Sequence, residues 1–224
     1  GAATERDAER WESWRRSVVP AAQDGARAVH VNDETDAFVN ADYRVAVRIS
    51  RSNIGAWRPG GENLWARTFD RLPAMPRVVF SGDGRRVFVE LIAPDEKSQG
   101  HVEVLDAHTG TVLGRIVTSK PAQRLVSSDD GSVFASIYRD SVHVYPAKDG
   151  AQVRSVVEGA GSRDSILLAN DGTVVTADLW PRIFRANAPG VGLELAAPFP
   201  YELQGAIGFT ADNRQVVTTS VGGA

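Results

Sequence analysis

The chain of 224 residues contains no cysteine. That absence excludes disulfide staples, Cys-based zinc sites, iron–sulfur clusters and thiol nucleophiles. It does not fix the compartment. Long apolar runs are missing too: none approaches the roughly 20 residues that a helical membrane span needs. Charge of one sign is also scarce. The net charge is −3, so no global field draws the chain onto nucleic acid. The first residue is Gly1 rather than an initiator methionine, so a processed, cut or engineered start is expected, and no signal-peptide pattern is there to read. A cytoplasmic location is the expectation, with secretion left open. What remains is an ordinary globular composition, 42% hydrophobic, long enough for a substantial core.

Against this plain background one pattern recurs. Ser81-Gly82-Asp83-Gly84, Ser128-Asp129-Asp130-Gly131, Ala169-Asn170-Asp171-Gly172 and Thr210-Ala211-Asp212-Asn213 are each followed by a run rich in Val, Phe or Thr. A weaker copy is Asn40-Ala41-Asp42-Tyr43. Successive aspartates lie 41, 47, 41 and 41 residues apart. A second turn marker keeps phase with the first: Gly61, Gly110, Gly150 and Gly190. Asp-Gly permits the tight turn of a hairpin, and branched or aromatic residues suit a pleated surface. Each unit therefore reads as strand, Asp-Gly turn, strand, variable loop, strand, Gly turn, strand. In the third unit the spacing predicts strands over Arg124–Ser127, Ser132–Ile137, Ser141–Tyr145 and Val153–Val156.

A period of this length means four-stranded antiparallel blades stacked about an axis, an all-β propeller. Runs such as Val133-Phe134-Ala135 are apolar on both sides, as strands sandwiched between neighbouring sheets should be. The one long interval comes from Ala93–Gly100, a polar loop between second and third strands. About five units are expected, at 27–70, 71–117, 118–157, 158–197 and 198–224, the last incomplete. Ala28–Val31 is a candidate to complete the last unit by closing the ring. One strand would still be lacking, so a piece of a longer propeller, or completion by another chain, is expected. Residues 1–25 stand apart: a helix over Glu5–Val18 would place Trp11, Trp14 and Val18 on one face, docked on the propeller or linking to another domain.

The stretch Phe80–Val89, followed by Val102-Glu103-Val104-Leu105-Asp106-Ala107-His108-Thr109-Gly110, resembles bacterial WD40-like and YVTN-type β-propeller repeats. The resemblance covers roughly residues 27–224 and is best over 76–157. It implies an interaction or sensor scaffold, within a larger bacterial protein. The Trp-Asp and Gly-His pairs of WD40 proteins are absent, so the Asp and His hydrogen bonds those pairs supply are not expected here. Packing and turns must hold the blades. Trp65, four residues after Gly61, is similar to the tryptophan that docks between sheets in quinoproteins. The matching positions in later units are Gly114, Arg154 and Glu194, so ordinary blade packing is the simpler account.

Chemistry is sparse. His30, His101, His108 and His143 belong to no metal or catalytic spacing, and Asp129-Asp130 coincides with a turn. No nucleophile elbow, Walker loop or dinucleotide fingerprint is present. No cofactor, metal or catalytic residue is expected. The favoured function is a non-catalytic module that binds partner proteins. The alternative is a propeller enzyme, either a metal-dependent, lactonase-like hydrolase or a quinoprotein-like oxidoreductase. Blade-joining loops and the loops between second and third strands share one rim. Arg51, Arg139, Arg163, Trp180, Phe199 and Tyr201 are the candidates there, because Trp, Tyr and Arg dominate interface energetics. Arg51 and Arg139 recur at matching phase.

Overall fold

The computed structural model describes residues 27–32, 35–39, 44–50, 53–58, 62–68, 77–92, 99–159, 165–177, 182–184, 203–209 and 216–220. The helix expected over Glu5–Val18 lies outside them. The described residues hold strands only, arranged in five sheets. The first contains β1 (Arg27–Asn32), β2 (Thr35–Val39), β3 (Ala46–Ser50), β4 (Asn53–Trp57) and β5 (Asn63–Thr68). The second contains β6 (Val78–Phe80), β7 (Arg86–Ile92), β8 (Gly100–Asp106) and β9 (Val112–Thr118). The third contains β10 (Arg124–Ser127), β11 (Val133–Ile137), β12 (Ser141–Pro146) and β13 (Ser155–Glu158). The fourth contains β14 (Ser165–Leu168), β15 (Val174–Ala177) and β16 (Arg182–Phe184), and the fifth β17 (Leu203–Phe209) and β18 (Val216–Ser220).

Within each sheet, consecutive strands pair antiparallel. Successive sheets lie against one another through β2 and β6, β6 and β10, β10 and β14, and β14 and β17. Sheets that touch along their inner strands and fan outward are propeller blades. Both faces of an inner blade are therefore covered, which explains why Val133, Phe134, Ala135 and Ile137 of β11 are all buried. Phe134 and Tyr145 pack with Phe88, Val102, Val104 and Ile116 of the second sheet, while Val133, Ala135 and Ile137 pack with Ile166, Leu168 and Val174 of the fourth.

The Asp-Gly turns close on themselves. Ser81 Oγ donates to Asp83 Oδ1 at 2.6 Å and accepts from Arg86 N at 3.0 Å, while Asp83 Oδ1 accepts from Arg85 N at 3.0 Å. Ser128, Asp130, Ser132 and Val133 repeat this pattern in the third sheet. Asp106 Oδ1 likewise accepts from His108 N, Thr109 N and Thr109 Oγ1, at 3.0, 2.8 and 3.0 Å. Aspartate hydrogen bonding is therefore more extensive than the missing Trp-Asp and Gly-His pairs suggested. These carboxylates cap their own turns rather than bridging strands. Burial works against the ionised Asp106, but the bonds from Thr109 and His108 outweigh it and hold its carboxyl below the usual range.

Three details depart from the expected pattern. Ala28–Val31 does not extend the last sheet: β1 pairs with β2, Ala28 opposite Phe38, and so joins the first sheet. The short separation of β1 and β2 makes that hairpin the cheaper pairing in loop-closure entropy. The last strand of the third sheet begins at Ser155 rather than Val153, because the chain first crosses beside the second sheet, where Gly150 N donates to Arg115 O at 3.0 Å. The insertion at 93–100 also lengthens its flanking strands, with Leu91 and Ile92 pairing with His101 and Gly100.

Candidate functional site

Antiparallel blades separate two kinds of connection. The Asp-Gly and second-turn hairpins gather at one end. The blade-joining segments and the loops between second and third strands gather at the other. The turn end is stitched from blade to blade. Asp83 N donates to Asp129 O at 2.7 Å, Arg86 Nη1 to Gly131 O at 2.6 Å, and Asp130 N to Asn170 Oδ1 at 3.2 Å. Its polar groups are largely engaged with the protein itself.

The loop end is different, and it carries Arg139. Tyr138 N donates to Ser141 O at 2.8 Å, which closes a hairpin with Arg139 and Asp140 at its tip. Both tip residues are exposed. Gly159 N donates to Asp140 O at 2.9 Å, so the end of β13 supports the tip. Arg51, Arg163, Trp180, Phe199 and Tyr201 lie outside the described residues. Of the six candidates, the structure therefore places Arg139 alone.

A cluster missed by sequence reading lies directly beneath the Arg139 tip. His143, half-buried on β12, meets the ring of Tyr138 edge-on at 4.7 Å. Ser119 Oγ lies 3.4 Å from its Nδ1 and Ser141 Oγ 3.4 Å from its Nε2. Lys120 Nζ sits 4.6 Å from the centroid of the Tyr138 ring, and Tyr138 Oη donates to Lys120 O at 3.0 Å. Burial pushes the His143 pKa below its ordinary value, Glu158 opposes that and Lys120 reinforces it. Burial is also the main reason that the Tyr145 phenol is pushed up to about 12. The hydroxyl–imidazole distances are long, and among the described residues no carboxylate hydrogen-bonds the ring. Through Ser119 and Lys120 the cluster ties a linker to Tyr138 and His143.

The same linker, residues 119–123, is clamped by a buried carboxylate. Glu90 on β7 is 0% exposed. Its Oε1 accepts from Ala122 N at 2.6 Å and its Oε2 from Arg77 Nη1 at 3.0 Å. Arg77 Nε in turn donates to Gln123 O at 2.8 Å. Burial raises the Glu90 pKa, with the Ala122 bond and Arg77 pulling the other way. A signal was present in the sequence: one acid inside the apolar run Val87-Phe88-Val89-Glu90-Leu91-Ile92. A charge there must find partners, because burying it unpaired is prohibitively costly.

Among the described residues, no three His, Asp or Glu side chains converge as a metal set would. Trp65 does dock between sheets. Its Nε1 donates to Ala107 O at 2.9 Å across the seam.

Neither a family model nor a curated protein matches the sequence. Solved structures do share the fold. The Dos1 propeller is similar with a TM-score of 0.51 and 14% identity, over 84% of this chain and 50% of that one. A chain in the mitotic checkpoint complex is similar with a TM-score of 0.52 and 14% identity, over 80% of this chain and 56% of that one. The chain thus spans about half the length of these propellers. The stacked four-stranded antiparallel sheets and these likenesses together establish a β-propeller architecture.

Proposed function

We propose that this chain is a non-catalytic propeller module of the bacterial WD40-like, YVTN type, one that presents its loop-bearing end to a partner protein as part of a larger assembly. The observation that carries this reading is the contrast between the two ends. The turn end is locked by blade-to-blade hydrogen bonds, whereas Arg139 and Asp140 stand exposed on a braced two-residue tip. Rigid support beneath exposed arginine is what a binding anchor needs, because little side-chain or backbone order is lost on docking. A propeller of similar fold in the mitotic checkpoint complex supports assembly as the use of such a scaffold. Arg51, Arg163, Trp180, Phe199 and Tyr201 extend the proposed rim.

Photo-crosslinkers placed at position 139 and, at the turn end, at position 148 test the idea in the native host. A discrete protein adduct is expected from position 139 only. Arg139→Ala should weaken capture of that same protein while shifting stability by less than about 0.5 kcal/mol. Equal adducts from both positions, or none from position 139, would sink the reading.

A further inference from the structure

One aromatic ring at the loop end serves two groups that can carry positive charge. Lys120 Nζ stands 4.6 Å from the centroid of the Tyr138 ring, and the His143 ring centroid stands 4.7 Å from it. The two groups therefore lie no more than about 9 Å apart, a distance over which salt screens a partly buried pair poorly. While the imidazole is neutral, one cation faces one ring, and the arrangement is favourable. With imidazolium it is not, because two cations then compete for the same ring and repel each other.

The surroundings decide which cation keeps the ring. His143 is fixed inside the third sheet, opposite Ser136 of β11 and Val156 of β13. Ser119 Oγ faces its Nδ1 and Ser141 Oγ its Nε2. A hydroxyl donates or accepts, so the same two serines suit imidazole and imidazolium alike. Lys120 is exposed, and its carbonyl accepts from Tyr138 Oη at 3.0 Å and from Thr118 Oγ1 at 3.1 Å. Its side chain can thus swing while its backbone stays in place. Two charges act on His143 from the packed elements, Glu158 at the end of β13 and Lys120 on the linker, with Arg139 and Asp140 at the tip beyond. Tyr145, on the same side of β12, has its phenol pushed up to about 12 and stays neutral where histidine titrates. Burial, reinforced by Lys120 against Glu158, holds His143 below its ordinary 6.5, so it charges only as pH falls past that value.

We propose that Tyr138 exchanges cations with pH: proton uptake by His143 gives the ring to the imidazolium and releases the Lys120 side chain at the loop end, where with Arg139 it faces an acidic group of a partner protein. A half-buried titration thereby becomes a mobile surface charge. The exchange belongs to the chain alone, and only its use in binding rests on the loop-end reading. In the competing outcome Glu158 neutralises the imidazolium and Lys120 stays on the ring.

The test is a nuclear magnetic resonance titration of the free chain from about pH 8 to about pH 5, following the His143 ring and the ε-methylene protons of lysine. At the upper limit the Lys120 protons should resonate upfield of those of the exposed Lys148, because an aromatic face shields what lies over it. They should move to the Lys148 position along the same curve as His143 titrates. Lys120→Met should raise the His143 midpoint, and His143→Gln should leave the Lys120 protons upfield throughout. In Glu158→Gln the midpoint should fall while Lys120 still moves. Lys120 protons that stay upfield as His143 charges overturn the proposal, as does a midpoint unchanged by Lys120→Met or a His143 ring still neutral at the lower limit. In clarified host lysate the adduct at position 139 should rise about threefold over the same range and lose that rise in Lys120→Met. An adduct that does not rise overturns the use in binding, whereas an exchange with no adduct at all upholds the exchange and sinks only the loop-end reading.

Discussion

The seam between the first and second sheets and the seam between the second and third do the same job with opposite means. At the first, the Trp65 ring lies over the turn of the next sheet, so close that a Cβ on Gly110 would fall 2.7 Å from the ring. Arg67 adds an ion pair to Glu103 at 2.8 Å. At the second seam, the residue in phase with Trp65 is Gly114. No ring fills the gap, and the turn itself moves in. A Cβ on Gly114 would lie 2.8 Å from Asp149 N, while Arg115 N donates to Asp149 Oδ1 at 2.9 Å. One seam is filled by the largest side chain and the other by backbone approaching the smallest residue. Interiors must be close-packed, but packing does not dictate which atoms do it. Degenerate repeats can therefore keep one geometry while sharing almost no consensus.

Removing the ring is the hardest way to break this comparison. Trp65→Ala should cost about 4 kcal/mol, because it deletes both the filling volume and the bond to Ala107 O. Urea unfolding measures it; a loss below about 1 kcal/mol would mean that the first seam collapses to the backbone-contact form of the second. Next comes the second seam. Glu90→Ala strands the buried Ala122 N and removes the Arg77 ion pair, and should cost about 3 kcal/mol. Its signature is also one of pH. Burial raises the folded-state pKa of Glu90 above 4.5, so the fold favours the protonated form. That contribution is complete below pH 4.5 and is lost as pH rises through the folded-state value. Glu90→Gln cannot titrate, so its stability should lack this decline. Parallel stability–pH curves for Glu90→Gln and the parent chain would contradict the assignment.

These seams also mark how far the sequence could be read. Asp-Gly turns and second-turn glycines are local instructions, and they placed the third sheet's strands to within two residues. That Arg139 stands exposed was legible for the same reason, since polar residues between two apolar strands turn to solvent. Partner choice is not local. Trp65 and Ala107 are 42 residues apart, and Glu90 and Ala122 are 32 apart, so spacing could hint that Trp65 docks between sheets but could not name the partner of either residue. The pairing of Ala28–Val31 with the first sheet was missed because an apolar strand fits any edge that is offered. Glu90 could have been flagged as paired, though not with whom.

The finest discrimination between the seams comes from two glycines in the same phase. Gly110 and Gly150 both have positive φ, 69° and 63°, so alanine at either site carries a left-handed penalty of about 1 kcal/mol. Their surroundings differ. A Cβ on Gly150 meets nothing within 4 Å, whereas on Gly110 it meets the Trp65 ring. Gly150→Ala should thus cost about 1 kcal/mol, and Gly110→Ala about 2 kcal/mol once the crowding is added. The excess should vanish in a background already carrying Trp65→Ala, a coupling that a double-mutant cycle isolates because the two groups touch. Equal costs for the two glycines, or an excess that persists without the ring, would mean that backbone conformation alone governs both turns and that Trp65 is not what holds the first seam at its spacing.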